Sequence, residues 1–206
     1  MPTVDSAPSI EITVFDFDGT ITTKDTFALF LRYYAGTIQW AAKILSLLPI
    51  FSAYGLKIID RNAVKAHVIR RFFKNASKDQ LDAKAEQFAA EVIPALIRPQ
   101  AQACLNTKKI TPESLYICSA SIAPYLRAWG RSQDIHNILA TELDSDGDRY
   151  TGEIKGWNIW GEGKVRRILA EFAPKQVKIM EAYGDSRGDR ELLHAAEASF
   201  YRPFRL

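Results

Sequence analysis

The spacing of hydrophobic positions changes along the chain and separates three regions. Residues 10–17 form an apolar, β-branched run just before a Gly-Thr pair, which predicts a buried strand. Residues 24–105 carry Ala-rich patterns with helical spacing and no convincing strand. From residue 114 onward, short apolar runs alternate with amphipathic helical patterns, as they do in parallel sheets covered by helices.

The third region predicts its elements in a definite order. We expect strands at 114–119, 134–141, 177–183 and 198–201, helices at 122–129, 162–172 and 189–196, and a short hairpin region at 150–156 and 157–160. The chain is therefore predicted to be α/β, with a doubly wound, parallel, Rossmann-like sheet. Residues 1–23 and 106–206 are expected to form this core domain, and residues 24–105 an inserted all-helical cap.

Two local patterns refine the cap. Ser77 and Gln80 just before an apolar position resemble a capping box, which predicts a helix start there. Lys57, Arg61 and Lys65 recur at helical spacing and are expected on one helix face.

The charge of the chain is unevenly distributed. The 206 residues carry a net charge of +3, and their 47% hydrophobic fraction is that of an ordinary globular protein. Residues 24–104, however, hold twelve Lys/Arg against six Asp/Glu. This excess suits phosphates or an anionic membrane, and it equally suits solvated helix faces.

The apolar run at 44–56 is too short to cross a membrane. Its thirteen residues contain Pro49, whereas a span needs about 20 apolar residues. A buried helical hairpin is the favoured interpretation, and peripheral contact with a membrane is the alternative. The N-terminus lacks signal-peptide features, and two cysteines without metal-ligand spacing fit a reducing cytoplasm.

Two aspartates, Asp16 and Asp18, follow the first predicted strand in the sequence DFDGT. Residues two apart in an extended chain share a face, so the two carboxylates lie close together and repel each other. Either a cation between them or a proton on one of them relieves this repulsion. Solvated carboxylates at a strand end are the simpler alternative.

A second acidic motif, GDSRGD, follows the strand predicted at 177–183 and places Asp185 and Asp189 four residues apart. A helix N-cap would account for one of these aspartates. Two aspartates near the carboxylates of DFDGT are also typical of a Mg²⁺ site, since Mg²⁺ binds few carboxylates. Asp16, Ser119 and Asp185 all lie at or just past carboxyl ends of predicted strands, where parallel sheets bind ligands. Lys164 lies near a predicted helix start, where the helix dipole disfavours a cation.

These motifs, in this order, resemble the four motifs of the haloacid dehalogenase-like superfamily. They are DFDGT, Ser119 after an apolar strand, Lys164 and GDSRGD. The insertion between the first two motifs resembles the cap of the phosphoserine phosphatase-like branch. Residues 140–168 also resemble bacterial members of that branch, including phosphatidylglycerophosphatase-like proteins.

The resemblance implies a role for each motif residue. Asp16 is implied as the nucleophile, and Asp18 as the general acid and base whose backbone carbonyl ligates Mg²⁺. Thr20 and Ser119 are implied to bind the phosphoryl group, and Lys164 to neutralise its charge. The implied metal ligands are Asp16, Asp18, Asp185 and Asp189.

The chain also departs from phosphoserine phosphatases. Asp25 stands where they carry a Glu that meets the substrate, and Ala120-Ser121 replaces a glycine pair. Their substrate-binding cap arginine has no clear counterpart, and the candidates for it are Arg61, Arg70 and Arg71.

Other signals are set aside. DSDGD at 144–148 lacks the Gly and Glu that a calcium loop needs at its sixth and twelfth positions, and an Asp-Gly hairpin turn is expected instead. The three histidines are scattered, and no nucleic-acid-binding pattern occurs.

The sequence thus predicts a Mg²⁺-dependent phosphomonoesterase acting on a small metabolite, phosphoserine-like, or on a lipid phosphate. The alternatives are a phosphomutase or phosphotransferase of the same superfamily and a non-catalytic, membrane-associated binding protein. Dehalogenase chemistry is disfavoured because it does not need Asp18.

Overall fold

The computed structural model describes residues 9–205 and places a five-stranded parallel sheet at the centre of the molecule. The strand order is β3-β2-β1-β6-β7. The strands are β1 Ile10–Phe15, β2 Leu115–Ile122, β3 Ile138–Thr141, β4 Leu143–Asp146, β5 Arg149–Ile154, β6 Val177–Gly184 and β7 Ala196–Tyr201. Strands β4 and β5 form a separate antiparallel hairpin. The predicted α/β class with a parallel sheet is confirmed.

The sheet separates two hydrophobic clusters because successive strand residues point to opposite faces. On β2, Leu115 and Ile117 belong to one cluster, whereas Tyr116 and Cys118 belong to the other. Burial on both faces explains why these strands read as continuous apolar runs. The arrangement also gathers the carboxyl ends of β1, β2 and β6 at one edge.

Within residues 9–205, six α-helices lie between β1 and β2, and three follow β2. They are α1 Thr26–Ala35, α2 Thr37–Ser46, α3 Leu48–Gly55, α4 Arg61–Phe73, α5 Lys78–Glu91, α6 Pro99–Lys108, α7 Ala123–Ser132, α8 Glu162–Phe172 and α9 Arg190–His194. The side chains of Asp25, Asp60 and Ser77 cap the N-termini of α1, α4 and α5. The helix start expected near Ser77 is therefore correct. The division into core and cap at 23/24 and 105/106 stays a prediction.

Aromatic side chains join the helices of the insertion to the sheet layer. The ring of Tyr125, on α7, lies 5.0 Å from that of Phe30 on α1 and 5.3 Å from that of Phe88 on α5. All three side chains are fully buried. Helices α1 and α5 thus share one hydrophobic cluster with α7.

Several expected elements differ from the structure. Strand β3 begins at Ile138, not at 134, and residues 157–160 form no strand. Lys57 lies outside α4 with a φ of 59°, because Asp60 caps that helix and starts it at Arg61. The hairpin turn expected at DSDGD is present between β4 and β5, with Gly147 at a φ of 57°.

The buried hairpin expected at 44–56 is wrong in its burial. Helices α2 and α3 do form, with Leu47 between them, but neither contains a buried residue. Trp40, Ile44 and Phe51 are half-buried and pack against the core cluster, which leaves the other side of both helices in solvent. No helix among residues 9–205 is both long and apolar enough to cross a membrane.

Candidate functional site

A tight turn at the end of β1 carries the first aspartate pair. The Asp16 N–H donates to the Tyr183 carbonyl at 2.9 Å, which ties the turn to β6. Gly19 follows with a φ of 81°, and a Cβ there would lie 2.5 Å from Asp185 Oδ2. Only glycine therefore allows the turn to approach the loop after β6 so closely.

Lys164 links the two acidic motifs in the interior. Its Nζ lies 2.5 Å from Asp16 Oδ1 and 2.6 Å from Asp189 Oδ1, and all three residues are buried. Burial disfavours the charged ammonium, but the two carboxylates outweigh this and raise the pKa of Lys164. Burial raises the pKa of Asp16 to about 7 even though Lys164 opposes the shift. The ion pairs explain why a lysine occupies the first turn of α8.

Asp189 is held by the loop that contains it. Its Oδ2 accepts hydrogen bonds from the N–H groups of Asp185 and Ser186, at 3.2 and 2.9 Å, and from the Ser186 hydroxyl at 2.8 Å. Burial opposes its ionisation, but Lys164 and these donors lower the pKa of Asp189. Asp189 therefore both stabilises the start of the helical turn after β6 and belongs to the acidic cluster.

Three carboxylates form a site whose chemistry fits a divalent cation. Asp16, Asp185 and Asp189 each offer one oxygen, and these atoms lie within 4.8 Å of one another. Asp185 Oδ1 is buried and has no hydrogen-bond partner, whereas Oδ2 pairs with Arg205. A buried carboxylate oxygen without a donor is costly, and a cation would satisfy it. The residues present therefore fit Mg²⁺.

Asp18 lies in a different environment from Asp16. Its Oδ1 accepts from the N–H and the hydroxyl of Thr26, both at 2.6 Å, and its Oδ2 accepts from the Ser121 hydroxyl. Burial raises the pKa of Asp18 to about 6. The Tyr125 hydroxyl lies 3.1 Å from Thr26 Oγ1 and extends this network into the core.

Thr20 and Ser119 complete the crevice. The Thr20 hydroxyl donates to Asp16 Oδ2 at 3.1 Å, and Ser119 Oγ accepts from the Ser121 N–H at 3.1 Å. Both side chains are buried, and Ser119 lines a cavity of about 320 Å³ together with Asp16, Asp18 and Lys164. Every core-motif residue chosen from the sequence thus lines this crevice except Thr20, which is linked to it through its hydrogen bond to Asp16.

A second, more apolar pocket of about 290 Å³ opens beside Asp18 under the insertion. Phe27, Phe51, Tyr54, Val64 and Val68 provide its apolar wall, and Arg61, Lys65 and Ser121 its polar groups. The Lys65 ammonium donates to the Ala120 carbonyl and lies 5.0 Å from the centre of the Phe27 ring. Burial lowers the pKa of Lys65 to about 7.

The candidate substrate-binding residues of the insertion differ in whether they line the two cavities. Arg61 lines both cavities, whereas Arg70 pairs with Glu153 and Arg71 donates to the Ser46 hydroxyl, away from both. Asp25 is exposed and caps α1 by accepting from the Ala28 N–H at 2.9 Å, although it also lies at the rim of the cavities.

Sequence reasoning did not identify Thr26, Ser121 or Lys65 as site residues. In the sequence, Ser121 stands out only because Ala120-Ser121 replaces the glycine pair of phosphoserine phosphatases. Lys65 stands out only as one of three basic residues at helical spacing. Nothing in the sequence marks Thr26 except that it lies close to DFDGT.

Comparisons with known proteins show the family of the chain. A family model described as haloacid dehalogenase-like hydrolase matches residues 13–194. Protein CicA of Caulobacter vibrioides is 36% identical over 201 residues, which cover 94% of this chain and 86% of CicA.

Solved structures show the same fold. A Bordetella pertussis Tohama I protein of unknown function has a TM-score of 0.78 at 20% identity, covering 93% of this chain and 89% of its own. A probable phosphoserine phosphatase from Vibrio cholerae has a TM-score of 0.65 at 14% identity, covering 96% and 58% respectively. A phospho-aspartyl intermediate analogue of phosphoserine phosphatase has a TM-score of 0.58 at 13% identity, covering 93% and 86%.

Proposed function

Because the chain belongs to the haloacid dehalogenase-like hydrolase family, we propose that it is a Mg²⁺-dependent phosphomonoesterase that acts through an aspartyl-phosphate. The observation that carries the proposal is the contrast between two carboxylates two residues apart. Asp16 is paired with a buried lysine, whereas Asp18 is held by hydroxyl and amide donors. Environments that differ in this way assign different roles to neighbouring carboxylates.

The proposed reaction has two steps. In the first, an oxygen of Asp16 attacks phosphorus, the bond between phosphorus and the ester oxygen breaks, and Asp18 donates its proton to the departing alcohol. In the second, Asp18 takes a proton from a water molecule that attacks the aspartyl-phosphate. This step releases inorganic phosphate and regenerates Asp16.

The remaining residues position and neutralise the phosphoryl group. Lys164 balances its charge, while Thr20 and Ser119 offer hydrogen bonds to its oxygens. Asp16, Asp185 and the Asp18 carbonyl would hold Mg²⁺, with Asp189 supporting it directly or through water. When bound, Mg²⁺ would supply further positive charge to balance that of the phosphoryl group.

The proposal also includes where the substrate binds. The pocket beside Asp18 would receive the alcohol part of the ester, and its apolar wall with Arg61 and Lys65 admits a small metabolite or a lipid phosphate. Asp25 lies at the rim of the crevice, where it can contact the leaving group. A cytoplasmic location is part of the same proposal.

Asp16→Asn tests the nucleophile. It should reduce hydrolysis of p-nitrophenyl phosphate in Mg²⁺ on the order of a thousandfold or more, because an amide cannot form the acyl phosphate. Asp146→Asn, at the exposed end of β4, is the matched control and should keep full activity. Normal turnover by a folded Asp16→Asn variant would refute the mechanism.

A phosphomutase shares the first step, so the fate of the phosphoryl group separates the two activities. We expect inorganic phosphate to equal the alcohol released across a panel of soluble and amphiphilic phosphate esters. Stoichiometric transfer to a second hydroxyl would favour the mutase instead.

A further inference from the structure

Helices α2 and α3 and the turn after them carry an unusual concentration of exposed apolar side chains. Six of the ten large hydrophobic side chains that are strongly exposed among residues 9–205 lie in this short segment, with 45–87% of each in solvent. We name them the α2–α3 apolar surface: Ile38, Leu45, Leu48, Tyr54, Leu56 and Ile58. Single exposed hydrophobic residues are ordinary, but a concentration of this kind marks an interaction site.

The charges of the same segment are of one sign. Residues 37–59, which span α2, α3 and the turn after them, contain no Asp or Glu, and their charged residues are Lys43 and Lys57. Arg71 adds a further cation at the end of α2, where it donates to Ser46 Oγ at 2.7 Å. Neither Lys43 nor Arg71 forms an ion pair with any carboxylate in the described part of the chain.

This combination fits an anionic lipid surface better than a second copy of the chain. Apolar side chains flanked by unpaired cations bind such surfaces by insertion of the former and attraction of the latter. A two-fold contact between copies would bring the cations of each copy against those of the other. Half-buried Trp40 and exposed Tyr54 are residue types enriched at the boundary between water and lipid.

The apolar surface is also continuous with the pocket beside Asp18. Tyr54 belongs to both, and Phe51 of the same helix lines the pocket wall. A membrane that contacts α3 would therefore lie next to the opening of this pocket.

We propose that the α2–α3 apolar surface docks the protein peripherally on membranes that contain anionic lipid. The docking itself is independent of the reaction. Only its consequence, delivery of amphiphilic esters to the site, rests on the proposed phosphatase function.

Co-sedimentation of the full chain with vesicles tests the docking. We expect binding to vesicles of phosphatidylcholine and phosphatidylserine, weak binding to phosphatidylcholine alone, and a loss of binding as salt is raised. The triple variant Leu45→Glu, Leu56→Glu, Ile58→Glu should weaken binding at least about tenfold. Each change removes an apolar side chain that would insert into the lipid and adds a negative charge that the anionic headgroups repel. These positions are exposed, so the fold is preserved.

The control introduces two glutamates at exposed apolar positions elsewhere. Ile110 and Leu169 are exposed to 83% and 56% but lie outside the α2–α3 apolar surface. Ile110→Glu, Leu169→Glu should bind vesicles like the unmodified protein. Equal binding by both variants, or no binding by the unmodified protein, would overturn the proposal, as would a dimer that only the triple variant abolishes.

The two proposals fail separately. Asp16→Asn should lose hydrolysis but keep vesicle binding, whereas the triple variant should lose vesicle binding but keep turnover of soluble p-nitrophenyl phosphate. If p-nitrophenyl phosphate is not hydrolysed at all while vesicle binding follows the expected pattern, only the proposed function is contradicted.

Discussion

Asp18 depends on two hydroxyl groups that come from distant parts of the chain. Thr26 lies in the first turn of α1 and Ser121 lies near the end of β2, and both donate to its carboxylate. Both hydroxyl groups are already engaged by Asp18, so we assign both as positioning residues, although Ser121 also lines the pocket beside Asp18. Their contribution should appear in the rate of proton transfer and not in substrate binding.

Ser121→Ala should lower kcat for p-nitrophenyl phosphate roughly ten- to a hundredfold, because a hydrogen bond to a charged group contributes about 1.5–3 kcal/mol. KM should change little. Ser121→Thr keeps a hydroxyl and should recover most of the rate, which a merely structural defect would not predict. Ser132→Ala, which removes a hydrogen bond to the Trp129 carbonyl far from the site, is the control. An unchanged kcat in Ser121→Ala would contradict the role.

At the scale of elements, the turn after β1 and the loop after β6 are built for mutual contact. Gly19 and Gly184 both lack the Cβ that would strike a neighbouring aspartate of the site. Gly19 in addition has a positive φ, which other residues adopt at a cost of roughly 1–2 kcal/mol. The DFDGT turn is therefore determined by the close approach as well as by its own conformation.

Gly19→Ala should lose most activity as well as about 1–2 kcal/mol of stability, because the new methyl group displaces Asp185. Gly36→Ala is its matched control. Gly36 also has a positive φ, 74°, but a Cβ there would meet nothing within 4 Å. It should lose comparable stability in a thermal melt while keeping full turnover. Equal activity in both variants would refute the proposed contact.

At the scale of the whole molecule, the site exists only because three strand ends meet. Asp16, Ser119 and Asp185 come from β1, β2 and β6, which are neighbours in the sheet. Lys164 and Asp189 then connect two of these ends through buried ion pairs. A ligand that satisfies the cluster should therefore stabilise the entire fold.

Mg²⁺ at a hundred times its Kd should raise the melting temperature by roughly 5 °C or more, since binding to the folded state alone adds about 2.7 kcal/mol. EDTA should remove both this shift and the activity, and added Mg²⁺ should restore them. Asp185→Asn removes the negative charge that the unpartnered oxygen would offer to the cation and should show a much smaller shift, unlike the surface control Asp146→Asn. The same shift in both variants would exclude the assigned site.

The core motifs were predictable because their signals are local. A buried parallel strand is a continuous apolar run, and residues at its carboxyl end face the edge where ligands bind. Asp16, Ser119 and Asp185 could thus be placed together from the order of strands along the chain. The start of β3 and the conformation of residues 157–160 were missed because strand pairing and hydrogen bonds to side chains, not hydrophobic pattern, decide them.

By itself, the sequence determined the α/β class, the order of the motifs and the two aspartates of DFDGT, since each follows from the spacing of residues along one segment. The tertiary structure decided which side chains surround them. Thr26 and Lys65 reach Asp18 and its pocket because helices of the insertion pack over the strand ends, whereas Ser121 reaches Asp18 because β2 is the neighbour of β1 in the sheet. It also decided that the apolar run at 44–56 faces solvent on one side, because a helix buries only the face that another element covers.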